Sequence, residues 1–202
     1  MQPEIFFQII IIIYSIILHE IAHGYAAYWF GDKTAFYQNR LTLNPIPHID
    51  VVGSIIVPAM LIMSGSSILA GWAKPVPVSE HNLNPYKLGS FCVSVAGVFV
   101  NLLICIIFAV LGSLVDDPGS KALCTTIAIT NIGLAVFNLI PVPPADGYRI
   151  LSVFLPWDIK RKMENFISQN FVLTIVVAIL VATQIFQFIF PIFYRLVANF
   201  IY

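Results

Sequence analysis

Charge is what this sequence has least of. Asp, Glu, Lys and Arg make up 10% of its 202 residues, and ten acidic side chains balance ten basic ones. A soluble globular chain carries about 25% charged residues. The balance excludes a basic surface for nucleic acid and an acidic one for a cationic partner. Cysteine is scarce too. Cys92, Cys105 and Cys124 form no CxxC pair and fall in or beside apolar runs. They read as small core residues, not as a redox centre. No internal repeat is visible, and no polar stretch is long enough for a separate soluble core. The opening "MQPEIFF" lacks the positive region of a secretory signal, so the first apolar segment is expected to be retained.

Apolar residues fill the space. They are 59% of the chain, and mean hydropathy is +0.90. The expected fold is an all-α polytopic membrane protein, one domain over residues 1–202, embedded in the lipid bilayer. Measured against the roughly 20 residues that a spanning helix needs, five main apolar segments stand out. They cover about residues 5–30, 51–73, 88–115, 122–140 and 171–190. A short tail beyond Pro191 could supply a sixth. Lys and Arg are slightly more frequent in the second and fourth intervening loops. That places those loops, and the N-terminus, on the cytoplasmic side.

The first segment contains an anomaly. After "IFFQIIIIIYSII" comes "LHEIAHG", residues 18–24. Ionisable residues within a membrane cost several kcal/mol and are rarely placed without a partner or a function. On a helix His19 and His23 share one face, and Glu20 is offset from His19 by about 100°. HExxH is the spacing that supplies two zinc ligands and a general base. Zinc brings the pKa of bound water toward about 7, and a nearby carboxylate can then carry the proton to a leaving amine.

A catalytic zinc usually has a third protein ligand. The candidates are His48, Asp50, His81, Asp116, Asp117 and Asp146. Asp116 and Asp117 lie in a tight connector, and His81 lies in a polar loop. Asp146 follows Pro141, Pro143 and Pro144, which cannot continue a helix. Such a break is tolerated at membrane depth only where protein or water covers it. An acid at that break is a sensible ligand.

At these residues the sequence resembles the site-2 protease family of intramembrane zinc metalloproteases, in the small bacterial form without PDZ or CBS domains. "HEIAH" matches the zinc-and-base motif, and "NLIPVPPADG", residues 138–147, matches the second metal motif. "GDKTAFYQNRLTLNPIPHID", "GWAKPVPV" and "AGVFVN" resemble further family segments. The resemblance covers about residues 15–155. It implies one zinc ion held by His19, His23 and Asp146, Glu20 as base, and Asn101 and Asn138 positioning substrate or the ligand loop. Val98, Ala145, Tyr148, Asn39 and Val51 depart from the usual pattern without touching a ligand or the base.

The implied activity is hydrolysis of peptide bonds within or next to transmembrane segments of other membrane proteins, in a bacterial cell membrane. A short membrane-associated β element is expected around residues 34–47. The alternation in "RLTLNP" suits a strand that could pair with an extended substrate. His48 either lines the site or sits at the membrane interface. The small residues Gly24, Ala26 and Ala27 predict close approach of the helix bearing Asp146. The competing reading is a non-catalytic metal-binding membrane protein or transporter. A transporter should show repeats, and Glu20 would then lack a purpose.

Overall fold

In a computed structural model, residues 3–56, 59–60, 63 and 72–202 are described. Helix α1 spans Pro3–Trp29, and a single-turn α2 spans Thr34–Tyr37. The next segments are a 3-10 turn at Ile46–His48, a π-helical stretch at Val51–Ile56 and a 3-10 turn at Glu80–Asn82. Then follow α3 (Tyr86–Leu114), α4 (Pro118–Asn138), α5 (Asp146–Val153), α6 (Trp157–Gln169) and α7 (Phe171–Ile201). Four helices among the described residues are long and apolar enough to cross a membrane: Phe6–Trp29, Tyr86–Leu114, Pro118–Asn138 and Val176–Ile201.

The helices are apolar on all sides, so size decides which face turns inward. On α3 the buried face carries Ser90, Ser94, Gly97, Asn101 and Gly112, while Phe99, Leu103 and Ile106 point outward. Small inner residues let helix backbones approach, and large outer ones suit lipid. α3 and α4 pack as an antiparallel hairpin. Asp117 starts α4 by accepting the Ser120 N–H at 2.8 Å, and Pro118 follows at the first helical position. Ile201 of α7 closes a core cluster with Cys105, Ala109, Ala128, Ile132 and Val136. Cys105 therefore has the packing role its setting suggests.

α1 runs antiparallel to α3: Phe30 meets Gly89, His23 meets Val93, and His19 lies at Gly97. Its end is set by Gly31 at φ +100°. Gly31 N–H donates to the Tyr28 carbonyl and Asp32 N–H to that of Ala27, the paired bonds of a left-handed helix stop.

Three expectations change, and a fourth falls largely outside the described residues. Residues 34–47 form no strand. Thr42 Oγ1 accepts the Asn44 N–H, Asn44 Oδ1 accepts the Ile46 N–H, and Asn39 turns the chain at φ 52°. Local side-chain bonds thus take backbone groups that a ladder would need. The expected second span, residues 51–73, lies largely outside the described residues, but its ends meet. Trp72 N–H donates to the Gly53 carbonyl and Ser54 Oγ to the Trp72 carbonyl. The tail beyond Pro191 is no separate element, because α7 continues through that proline. With lipid rather than water around it, an apolar helix keeps its remaining backbone bonds across a proline. Finally, Gly24 lies under Leu41 and Val76, while Ala26 and Ala27 pack with Leu83 and Val93. The α5 helix does not cover them. The loops after α1 and the start of α3 do.

Candidate metal centre

His19 and His23 lie on the inner face of α1, 6% and 4% exposed. Asp146 reaches them from the first residue of α5 and is 5% exposed. Its Oδ2 is 3.1 Å from His19 Nε2 and 3.1 Å from His23 Nε2, and the two nitrogens are themselves 3.1 Å apart. The three side chains are the one group of metal-ligand type that the described residues bring together.

The proline break places the carboxylate. α4 stops at Asn138, and residues 139–145 fold into consecutive turns, with Val142 N–H on the Ile140 carbonyl and Ala145 N–H on that of Val142. A side chain at Gly147 would collide with the Leu139 and Ile140 carbonyls. Glycine there lets the turn fold back against the end of α4, and Asp146 enters beside the histidines.

The donor set fits zinc. His23 Nδ1–H donates to the Val93 carbonyl at 2.6 Å. In the neutral ring this leaves the Nε2 lone pair free and fixes the ring's direction. Burial would push the Asp146 carboxyl up, but the contacts with His19 and His23 outweigh it and hold the group well below the ordinary carboxylate range. Tetrahedral ligands about 2.0–2.1 Å from zinc stand roughly 3.3 Å apart, close to the observed 3.1 Å triangle. One Asp146 oxygen with no better hydrogen-bond partner completes the picture.

Gly97 completes the cradle, and sequence reasoning missed it. A Cβ there would lie 2.5 Å from His19 Cε1 and 2.5 Å from His23 Nε2. The signal was the glycine of "AGVFVN", a stretch noted only for its resemblance to a family segment. One turn further along α3, Asn101 is fully buried with neither amide atom partnered. Asn131 of α4, also fully buried, donates to Ser15 Oγ at 2.9 Å, one turn from His19 on α1.

The other singled-out residues fall elsewhere. Glu20 is half-buried, and its Oε2 accepts the Val76 N–H at 2.8 Å. Asn138 donates to the Leu134 carbonyl of its own helix. His48 is 2% exposed, so it is not an interfacial side chain, and it is not in the metal-ligand group. Its Nε2–H donates to the Thr42 carbonyl, and its own carbonyl accepts the Lys74 N–H. Beside the centre a cleft of about 350 Å³ is lined by Val76, Val78, Ser90, Ser94 and Arg149.

Bundle and site together define a multi-pass membrane protein with a buried two-histidine, one-carboxylate centre. The chain belongs to peptidase family M50, the site-2 protease family, whose model matches residues 7–183. It is similar to YwhC of Bacillus subtilis (strain 168), with 37% identity over 180 residues, 84% of this chain and 78% of that protein. It is also similar to Rip2 of Mycobacterium tuberculosis (strain ATCC 25618 / H37Rv), with 28% identity over 185 residues, 90% and 69% of the two chains. MJ0392 of Methanocaldococcus jannaschii shares 26% over 158 residues, 77% of this chain and 37% of that one. The names of all three are those of zinc metalloproteases. No solved structure matches the chain. Family and relatives make this protein a zinc metalloprotease of the membrane.

Proposed function

We propose that the protein is an intramembrane zinc endopeptidase acting as one domain, in which His19, His23 and Asp146 hold a single zinc ion and Glu20 is the general base. The carrying observation is the buried triangle of donor atoms, two on the apolar helix α1 and one on the short α5, with a carboxylate on the residue after the first ligand. Bound zinc supplies Lewis acidity for water and for the scissile carbonyl. The chain supplies the rest. Val93 orients His23. Glu20, with Oε2 held by Val76, keeps its other oxygen for the proton that leaves water and returns to the departing amine.

The substrate class is a transmembrane segment of another membrane protein, in a bacterial cell membrane. We assign the cleft beside Val76 and Arg149, which adjoins the site through Val93 and Val76, as the recess that receives a locally unwound chain. Asn101 is the best candidate to bind polar backbone or water near the metal, because both its amide atoms lack a protein partner. Asn138 acts on the ligand loop through the end of α4. The fixed position of His48 suits a role in shaping the loop that carries Arg40.

Glu20→Gln tests the reading. The variant is expected to bind zinc one to one and to cleave a model transmembrane peptide about 100- to 10,000-fold more slowly than wild type. Cleavage at the wild-type rate would remove Glu20 from its role. A wild-type protein without zinc would remove the centre.

A further inference from the structure

Arg40 lies outside the spanning helices, yet only 7% of it is exposed. Its Nη2 donates to the carbonyls of Lys74 and Pro75, at 2.8 and 3.2 Å. The next residue, Val76, gives its N–H to Glu20. Pro75 and Pro77 have no N–H, so Val76 offers the one backbone donor in that stretch. Its side chain is 6% exposed and lies against Gly24, one turn beyond Glu20 on α1. Residues 74–78 thus form a strap laid across the metal-bearing turn. Arg40 holds it at one point and Glu20 at the next.

The arrangement constrains Glu20 more than the strap requires. A glutamate side chain has three rotatable bonds, and a carboxylate free to swing leaves its working position most of the time. The Val76 N–H fixes one oxygen. That N–H follows directly on the two carbonyls held by a buried guanidinium, and the Lys74 N–H on the His48 carbonyl anchors the strap's start. Burial draws the Arg40 guanidinium below its ordinary value, and the charge of Glu20 opposes that effect. The two ends of the relay therefore also act on each other directly.

We propose that Arg40 is a positioning residue for Glu20, acting through the backbone of the strap at Lys74, Pro75 and Val76. The inference rests on the peptidase reading of Glu20, and its test separates the two. Full-length wild type, Arg40→Gln, Arg40→Lys, Val76→Pro and the Arg40→Gln/Val76→Pro double variant are compared in lipid nanodiscs. Zinc content, kcat and KM are measured with a fluorogenic transmembrane peptide. Val76→Pro removes the N–H within an already proline-flanked stretch.

Displacement of a reacting group by about 1 Å costs about 100-fold in rate. Arg40→Gln and Val76→Pro are each expected to lose about that much in kcat with zinc retained, and Arg40→Gln leaves KM unchanged. Arg40→Lys, still a cationic donor, recovers part of the loss. The double variant is no slower than the slower single one, because both break one relay. Losses that multiply, a changed KM with kcat intact, or loss of zinc in Arg40→Gln would overturn the proposal. A wild type that binds no zinc or cleaves nothing would remove the peptidase reading itself.

Discussion

Gly97 has no side chain, and the metal centre depends on that. The two histidines occupy the volume that a methyl group would take. Gly97→Ala is therefore expected to lower two measurements to different extents. Alanine favours the α3 helix by about 0.8–1.0 kcal/mol, but crowding two buried rings costs about 1–3 kcal/mol, so thermal stability without metal should fall only slightly. Zinc affinity should fall by about 10- to 100-fold, the usual effect of disturbing a ligand's support. Titration against a competing chelator reads this, and unchanged affinity would show that the histidines can move aside. The clustering of His19, His23 and Asp146 was legible because zinc chemistry demands particular side chains: two imidazoles one turn apart, and an acid at a break. Gly97 was not, since an absent side chain gains meaning only from what occupies its place. His48 shows the opposite problem. Its chemistry suited a ligand, but its partners are the Thr42 carbonyl and the Lys74 N–H.

Among the connecting elements, Asp32 ties the segment after α1 to the loop before α3. It is 1% exposed. One oxygen accepts from Thr34 N–H, Thr34 Oγ1 and Asn82 Nδ2, and the other accepts the Ser79 N–H at 2.6 Å. Burial would raise this carboxyl, but the accepted bonds outweigh it and lower the pKa below its ordinary value. A carboxyl lowered in the folded state stabilises the fold above its unfolded value, about pH 3.9. That contribution is lost as pH falls through the lower folded value. Asp32→Asn places an amide donor among donors and should cost about 1–3 kcal/mol at neutral pH. Faster proteolysis within residues 74–82 should report it, while wild type should show the same sensitivity only in strong acid. If proteolysis is unchanged, the loop is held by other contacts. "RLTLNP" misled at this scale. Its alternation is real, but Thr42 and Asn44 give their side chains to local turns. Arg40 turns back to the strap instead of facing a neighbouring strand. A period of two cannot distinguish those outcomes without knowing what backbone lies alongside.

For the molecule as a whole, hydropathy found the long helices, because length and apolarity are sufficient conditions for α1, α3, α4 and α7. It could not tell whether residues 51–73 leave the side from which they start. The bonds between Gly53, Ser54 and Trp72 decide that, because they put both ends of the stretch in one place. Counted over the four long apolar helices among the described residues, both chain ends are expected on the same side of the membrane. Lys33, Arg40, Lys74 and Lys87 fall on the opposite side, together with Arg149, Lys160, Arg161 and Lys162. Lys121 and Arg195 are left on the side of the chain ends. A narrow excess of positive charge counted over five spans thus becomes eight against two over four, which predicts the N-terminus outside the cytoplasm. An alkaline phosphatase fused after Tyr202 should be active and a fluorescent protein fused there dark. The reverse result would mean an odd number of crossings. With this sidedness the strap, the ligand loop and the cleft are expected to open toward the cytoplasm. On the peptidase reading a cut made here would release the cytoplasmic portion of its target, so the fusion at Tyr202 also reports which compartment would receive the product.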